Sequence, residues 1–344
     1  MERRDFFSKF TRGSSESVIY PAKNDKPRLQ AGLEQRTQPL GKREAYHLLR
    51  RLSFGPAKAQ VDAITGKTPA EAVDMLLGTG SEQLPAGPSW VDTVEPNPLT
   101  AGNPQLKGEI ESRLKQRYAD FCGWWLELMR NEETTAIEKL TLFWSTVWCI
   151  EFTYDTLALI PPPMCYRNNQ TLRKNRLVNY KAIAEEITLD GAMLLYQSLF
   201  YSSKTFPNEN YMRELMELFT MGTGNIFTGD KNYTEGDIKE GSKVLTGWRT
   251  NPYQEKIGPG EYFATFFVPD LHDIGSKEFM GNTIPARNES ENTEELVKEQ
   301  EVRGLINIMF TERAESISYF VCNKIYRYFV YSNSDSNDKA ITQE

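Results

Sequence analysis

The sequence predicts a mainly α-helical protein, a multi-helix globular bundle with a small β-strand and loop insertion around residues 260–285. Three observations carry that expectation. Apolar residues recur at helical spacing along most of the chain, and capping residues or Pro/Gly breaks punctuate those stretches. A single segment reads as a strand. Composition supports a folded core: 39% of the 344 residues are hydrophobic and 25% charged, with 6 Trp, 16 Tyr and 18 Phe.

Taken in order, residues 1–40 read as a flexible arm, 41–331 as a single helical domain and 332–344 as a polar tail. The first helix is expected over KREAYHLLRRL, with Ala45, Leu48, Leu49 and Leu52 on one face and Phe54-Gly55-Pro56 as its stop. A short helix follows from Ala57 to Ile64. Thr68-Pro69-Ala70-Glu71 is a capping box that opens a third helix ending near Gly78. The Pro- and Gly-rich stretch 79–105 is a loop. Leu106, Ile110, Leu114, Phe121, Trp125 and Leu128 then mark a long helix, and another is expected from Ile137 to Ile150. Pro161-Pro162-Pro163 reads as a connection that forbids helix. Helices are expected over Leu172–Ile187 and Gly191–Phe200, joined at Thr188-Leu189-Asp190.

The segment PNENYMRELMELFTMG, Pro207 to Gly222, is the densest feature of the chain. Asn208 or Asn210 suits its N-cap, Gly222 and Gly224 suit its end, and Tyr211, Leu215, Leu218 and Phe219, widened by Met212 and Met216, make a core stripe. Arg213 and Glu217 stand at i, i+4. Thr234-Glu235-Gly236-Asp237 caps a further helix, Tyr262–Val268 is the strand candidate, 288–295 is a solvated loop, and two helices, Glu295–Met309 and Glu312–Tyr331, close the domain.

Several chemistries are disfavoured. Net charge is −7, so no basic surplus exists to displace counterions from nucleic acid. No apolar run approaches the roughly 20 residues of a membrane span. Four cysteines, at 122, 149, 165 and 322, do not make a disulfide framework, and Cys122 and Cys149 fall in apolar runs as small core residues. With His47 and His272 the sole histidines, tetrahedral zinc and di-iron sites fit poorly. No G-x-S-x-G elbow or Walker A loop occurs, and Gly222-Thr223-Gly224 follows a helix, unlike a dinucleotide loop.

Two segments remain as candidate sites. Glu214 and Glu217 form a carboxylate pair suited to acid–base work or to Mg²⁺ or Ca²⁺, with Asn208 and Asn210 adding amides at its mouth. In LHDIGSK, His272 beside Asp273 suits a base near a carboxylate, and Lys277 an anion. Each has a structural counterpart: a buried helix with a solvated or salt-bridged polar stripe, and a turn in which Asp273 caps amides while His272 packs. A third reading has Arg50, Arg51, Arg213 and Lys277 converge on an acidic glycan or another anion.

HLLRRLSFGP (His47–Pro56), KLTLFW (Lys139–Trp144), ITLDGAMLLY (Ile187–Tyr196), PNENYMRELMELFTMGTGN (Pro207–Asn225), YTEGDIKEGSKVLTGW (Tyr233–Trp248) and HDIGSKEFMG (His272–Gly281) occur in that order. Together they make residues 42–331 resemble a bacterial family, domain of unknown function 1800. The resemblance implies a mainly helical fold, frequent export by the twin-arginine route and a sulfatase-like companion family as protein partner. It brings no established reaction or cofactor. Arg3-Arg4 before Phe6-Phe7 matches a twin-arginine box, but a polar stretch stands where an apolar h-region belongs, so a cytoplasmic location stays open. Where relatives often carry an FWHxHF-like run, Ser145-Thr146-Val147-Trp148 follows Phe143-Trp144 here. Relatives usually continue further, so a C-terminal portion is expected to be missing. The functions weighed are a helical assembly or binding protein that acts with a partner protein or polymer, and a hydrolase using Glu214, Glu217, His272 and Asp273.

Overall fold

A computed structural model describes residues 36–78, 80, 83–151, 160–225 and 228–331. The twin-arginine stretch, nearly all of the expected N-terminal arm and the polar tail lie outside the described residues. From Thr37 onward the chain forms one unit of helices with two small two-stranded antiparallel sheets. The mainly helical class therefore holds. No described helix is long and apolar enough to cross a membrane.

Local signals placed the first helices well. α1 (Lys42–Leu52) buries Ala45 and Leu49, α2 spans Lys58–Ile64, and α3 (Pro69–Leu77) starts on the Thr68/Glu71 capping box. These three share a small core with Leu40, so the chain is already packed at a position assigned to the arm. α4 (Pro104–Arg130) buries Ile110, Leu114, Tyr118, Phe121 and Trp125, and α5 spans Thr135–Val147. Cys122 differs from its expected place in the core: it is exposed, at the edge of that stripe.

The triple proline is a second correction. Pro161 caps α6 (Pro162–Lys174), and Pro162 and Pro163 occupy its first turn. The amides of a first turn have no intrahelical acceptor, so proline loses nothing there and its fixed φ suits the helix. α6 is then pinned by a buried ion pair. Arg173, 2% exposed, gives Glu138 of α5 two hydrogen bonds of 2.8 and 2.6 Å, and Trp125 of α4 donates to the same carboxylate at 2.7 Å. The helix expected over Leu172–Ile187 is broken after Lys174, and Asn179 caps a new one, α7 (Tyr180–Thr188). Between them Arg176 is buried, its carbonyl accepting from the Trp144 indole at 3.0 Å. Asp190 caps α8 (Gly191–Tyr196), and a 3₁₀ turn covers Leu199–Tyr201.

α9 (Glu209–Glu214) runs directly into a π-helical turn, Leu215–Thr220. The turn corrects the expected stripe. Tyr211, Met212, Leu215, Met216 and Phe219 are buried as predicted, whereas Leu218 is 39% exposed and Thr220 is buried in the core. A π turn adds a residue to the helical repeat, so the buried face changes phase. α10 (Glu235–Val244) follows its Thr234/Asp237 capping box and packs between α9 and β3. Gly241 lets them approach, since a Cβ there would stand 2.9 Å from the Met212 sulfur and 3.1 Å from the Phe279 ring.

The chain holds more strand than the one expected, and β1 lies before the expected insertion. β1 (Trp248–Thr250) pairs with β2 (Thr265–Phe267) in the register Trp248–Phe267, and β3 (Lys277–Phe279) pairs with β4 (Asn282–Ile284). The β3–β4 turn uses Met280 and Gly281, both at positive φ. The expected loop at 288–295 instead contains an Asn288-capped 3₁₀ turn and the start of α11 (Glu294–Leu296). A second π turn, Val297–Val302, leads into α12 (Arg303–Glu312), and α13 (Ala314–Phe329) ends the described chain.

Candidate functional site

The Pro207 helix and the His272 loop engage different neighbours. Asn208 is the N-cap of α9: its Oδ1 accepts from the Tyr211 amide at 2.9 Å, and its Nδ2 donates to the Gln197 carbonyl at 2.9 Å. Asn210 is exposed. Arg213 forms a two-pronged pair with Glu235 at 2.9 and 2.8 Å, rather than pairing with Glu217. Glu217 accepts from the Tyr233 hydroxyl at 2.8 Å. Burial first, and then that bond, pushes the phenol up to about 12. The charge of Glu214 reaches Cys149.

The His272 loop closes over a buried ionic cluster centred on Glu301 of the second π turn. Glu301 is 1% exposed and receives Lys277 Nζ at 2.7 Å, the Arg287 Nε and the His272 Nε2 edge at 3.4 Å. Lys277, fully buried, also donates to the Asp273 carbonyl. His272 Nδ1 lies 3.0 Å from the Thr246 carbonyl, which has no hydrogen to give, so Nδ1 is the donor. Asp273 turns its Oδ1 to the Gly275 amide at 2.9 Å and gives its own amide to Thr246 Oγ1. Burial pushes the Glu301 carboxyl up, but the hydrogen bonds and charges of His272 and Lys277 outweigh it and hold the group at about 2. Lys277, expected to meet an external anion, is thus committed to an internal one.

A hollow of about 330 Å³ lies over this loop, lined by Lys204, His272, Asp273, Glu289 and Asn292, with neither Glu214 nor Glu217 on its wall. Among the described residues no three His, Cys, Asp or Glu side chains are grouped to hold a metal ion. Arg50 and Arg51 lie on the exposed side of α1, while Arg213 and Lys277 are held by Glu235 and Glu301. The four cations do not share a partner.

What the fold does bring together is a groove along α13. One hollow, about 360 Å³, is lined by Gly222, Thr223 and Gly224 from the end of the Pro207 segment and by Tyr319, Phe320 and Asn323 of α13. A second, about 260 Å³, is lined by Phe143, Thr146 and Val147 of α5 and by Tyr328. Lys324 and Arg327 line both. The end of α5 therefore meets the end of the Pro207 segment through one face of α13. Behind the groove, Trp148 stacks on Phe219 of the π turn with centroids 5.0 Å apart. Cys149 feels both Glu214 and Lys324, and burial, the largest influence, raises its thiol pKa.

The sequence reading passed over Glu301, Lys324, Arg327, Tyr319 and Asn323. The signal for the α13 residues was present: Tyr319, Asn323 and Arg327 recur every four residues and so share a face. Glu301 carried none, because nothing local marks one carboxylate of the expected Glu295–Met309 helix as buried.

Neither the curated proteins nor the solved structures contain a match to this chain. The ordered motifs, the helical fold and a family match running over residues 47–343 agree, and the chain belongs to the family described as Protein of unknown function (DUF1800).

Proposed function

We propose that this chain is a non-catalytic helical binding protein that holds an extended segment of a partner protein or polymer in the groove along α13. The observation that carries the reading is the two hollows joined at Lys324 and Arg327. Their shared lining makes one elongated groove, and its walls alternate aromatic rings with hydroxyl and amide groups. From Ser316 to Tyr328 the helix face runs about 18 Å at 1.5 Å per residue, long enough for several units of a chain.

The sulfatase-like companion family is the first protein partner to test. Bacterial origin and twin-arginine export, if Arg3-Arg4 serves as the signal, place the meeting outside the cytoplasm. The hydrolase alternative needs Glu214, Glu217, His272 and Asp273 in one cleft, with or without Mg²⁺ or Ca²⁺. It has weaker support, because His272 faces Glu301 and Glu217 faces Tyr233.

Filling the groove tests the reading. Thr146 and Thr223 are exposed and line different hollows. The double variant Thr146→Trp/Thr223→Trp is expected to keep the wild-type melting temperature. The wild type should bind at least one of three probes: a purified companion-family protein, polygalacturonate and dextran. The variant should lose that binding. Equal binding by both proteins, or none by the wild type, contradicts the proposal.

A further inference from the structure

We infer that the Lys324–Arg327 ridge makes the groove a site for acidic polysaccharide, with a uronate carboxylate seated on Lys324. The inference rests on the binding reading above and names its ligand class.

The first support is charge. The protein carries a net charge of −7, yet two cations and no Asp or Glu line the two hollows among the described residues. Lys324 is half-buried and makes no ion pair among the described residues. Its Nζ lies 4.5 Å from the centre of the Phe320 ring. Burial pulls its pKa down from the ordinary lysine value, Cys149 pushes it back, and Arg327 adds to the fall. A partly desolvated ammonium beside a second cation is a costly arrangement. A carboxylate seated on Lys324 would offset the cost of its desolvation through a charge-assisted hydrogen bond.

The second support is the rest of the lining, which favours sugar over peptide. Peptides are taken up on a free strand edge, as a helix in an apolar groove or, for acidic motifs, by a cluster of arginines, and a single arginine lines these hollows among the described residues. This groove offers no strand: its walls are α13, the end of α5 and the Met221–Gly224 turn. The polar groups available are the Thr223 and Thr146 hydroxyls and the Tyr319–Asn323 pair, in which the amide donates to the phenol at 3.0 Å. They stand beside the half-buried rings of Phe320 and Tyr328. Hydroxyls and amides meet the hydroxyl rim of a sugar ring, and aromatic faces meet its C–H face.

The test is a titration of the intact protein with polygalacturonate, dextran and poly-glutamate, repeated at raised salt and with Lys324→Gln and Lys324→Arg. Polygalacturonate should bind, and salt should weaken it. Lys324→Gln should cost about tenfold in affinity, the loss of one charge-assisted bond, while Lys324→Arg should stay within about threefold of the wild type because the charge is kept. Equal binding of dextran and polygalacturonate, unchanged in Lys324→Gln, overturns the acidic ligand and leaves the groove reading standing. Tighter binding of poly-glutamate overturns the sugar. If no polymer binds but the companion-family protein does, and groove filling abolishes it, the polysaccharide inference alone falls.

Discussion

Glu301 concentrates the energetics of the His272 loop in one carboxylate, which faces Lys277, Arg287 and His272 at 1% exposure. Replacing Glu301 by Gln keeps the shape but removes the counter-charge of the buried Lys277 and Arg287. Removing one partner of a buried pair costs about 3–5 kcal/mol, so urea unfolding of Glu301→Gln should show a loss of that size. Its pH dependence has a definite sign. The folded carboxyl is held at about 2, below the ordinary 4.5, so the unfolded chain takes up the proton first as pH falls. The stabilisation is complete above about pH 4.5 and disappears as pH drops toward 2. Glu301→Gln should lack that part of the profile. The His272 loop was legible in sequence as a turn held by Asp273, because Asx turns are local. The partner of Lys277 was not legible, since Glu301 lies 24 residues away on a different element.

At the scale of the element, local chemistry was read well and changes of helical phase were not. The capping boxes at Thr68 and Thr234 and the cap at Asn208 depend on neighbours within four residues, and they start the helices they announced. The proline run and the two π turns were missed. In the first case proline's helix-breaking role was applied at the one place where it does not hold. In the second, the i→i+5 pattern leaves no residue signature. The π turn ends on Gly222, at φ +75°, whose amide donates to the Met216 carbonyl at 3.1 Å. A Cβ there meets nothing closer than the Phe320 ring at 3.7 Å, so the penalty of substitution is conformational. Gly222→Ala should destabilise the protein by about 1–2 kcal/mol, as measured by chemical denaturation. It should also weaken ligand binding, because the turn it strains forms one wall of the groove.

Over the whole molecule, the fold class was legible because helical periodicity and its breaks run the length of the chain. The groove was not. Its walls come from residues 143–147, 221–224 and 316–328, and only folding brings α5, the end of the Pro207 segment and α13 together. The Pro207 segment kept its central place for a different reason from the one its carboxylates suggested: Glu217 and Arg213 are bound to Tyr233 and Glu235, while its Gly-Thr-Gly end reaches the groove. Amide hydrogen exchange of the intact protein, with and without saturating polygalacturonate, tests the groove most directly. Binding there predicts added protection at Met221–Gly224 and along Ser316–Tyr328, with the His272 loop unchanged. Protection confined to the His272 loop or to the Glu217 face, with α13 exchanging as before, would contradict it.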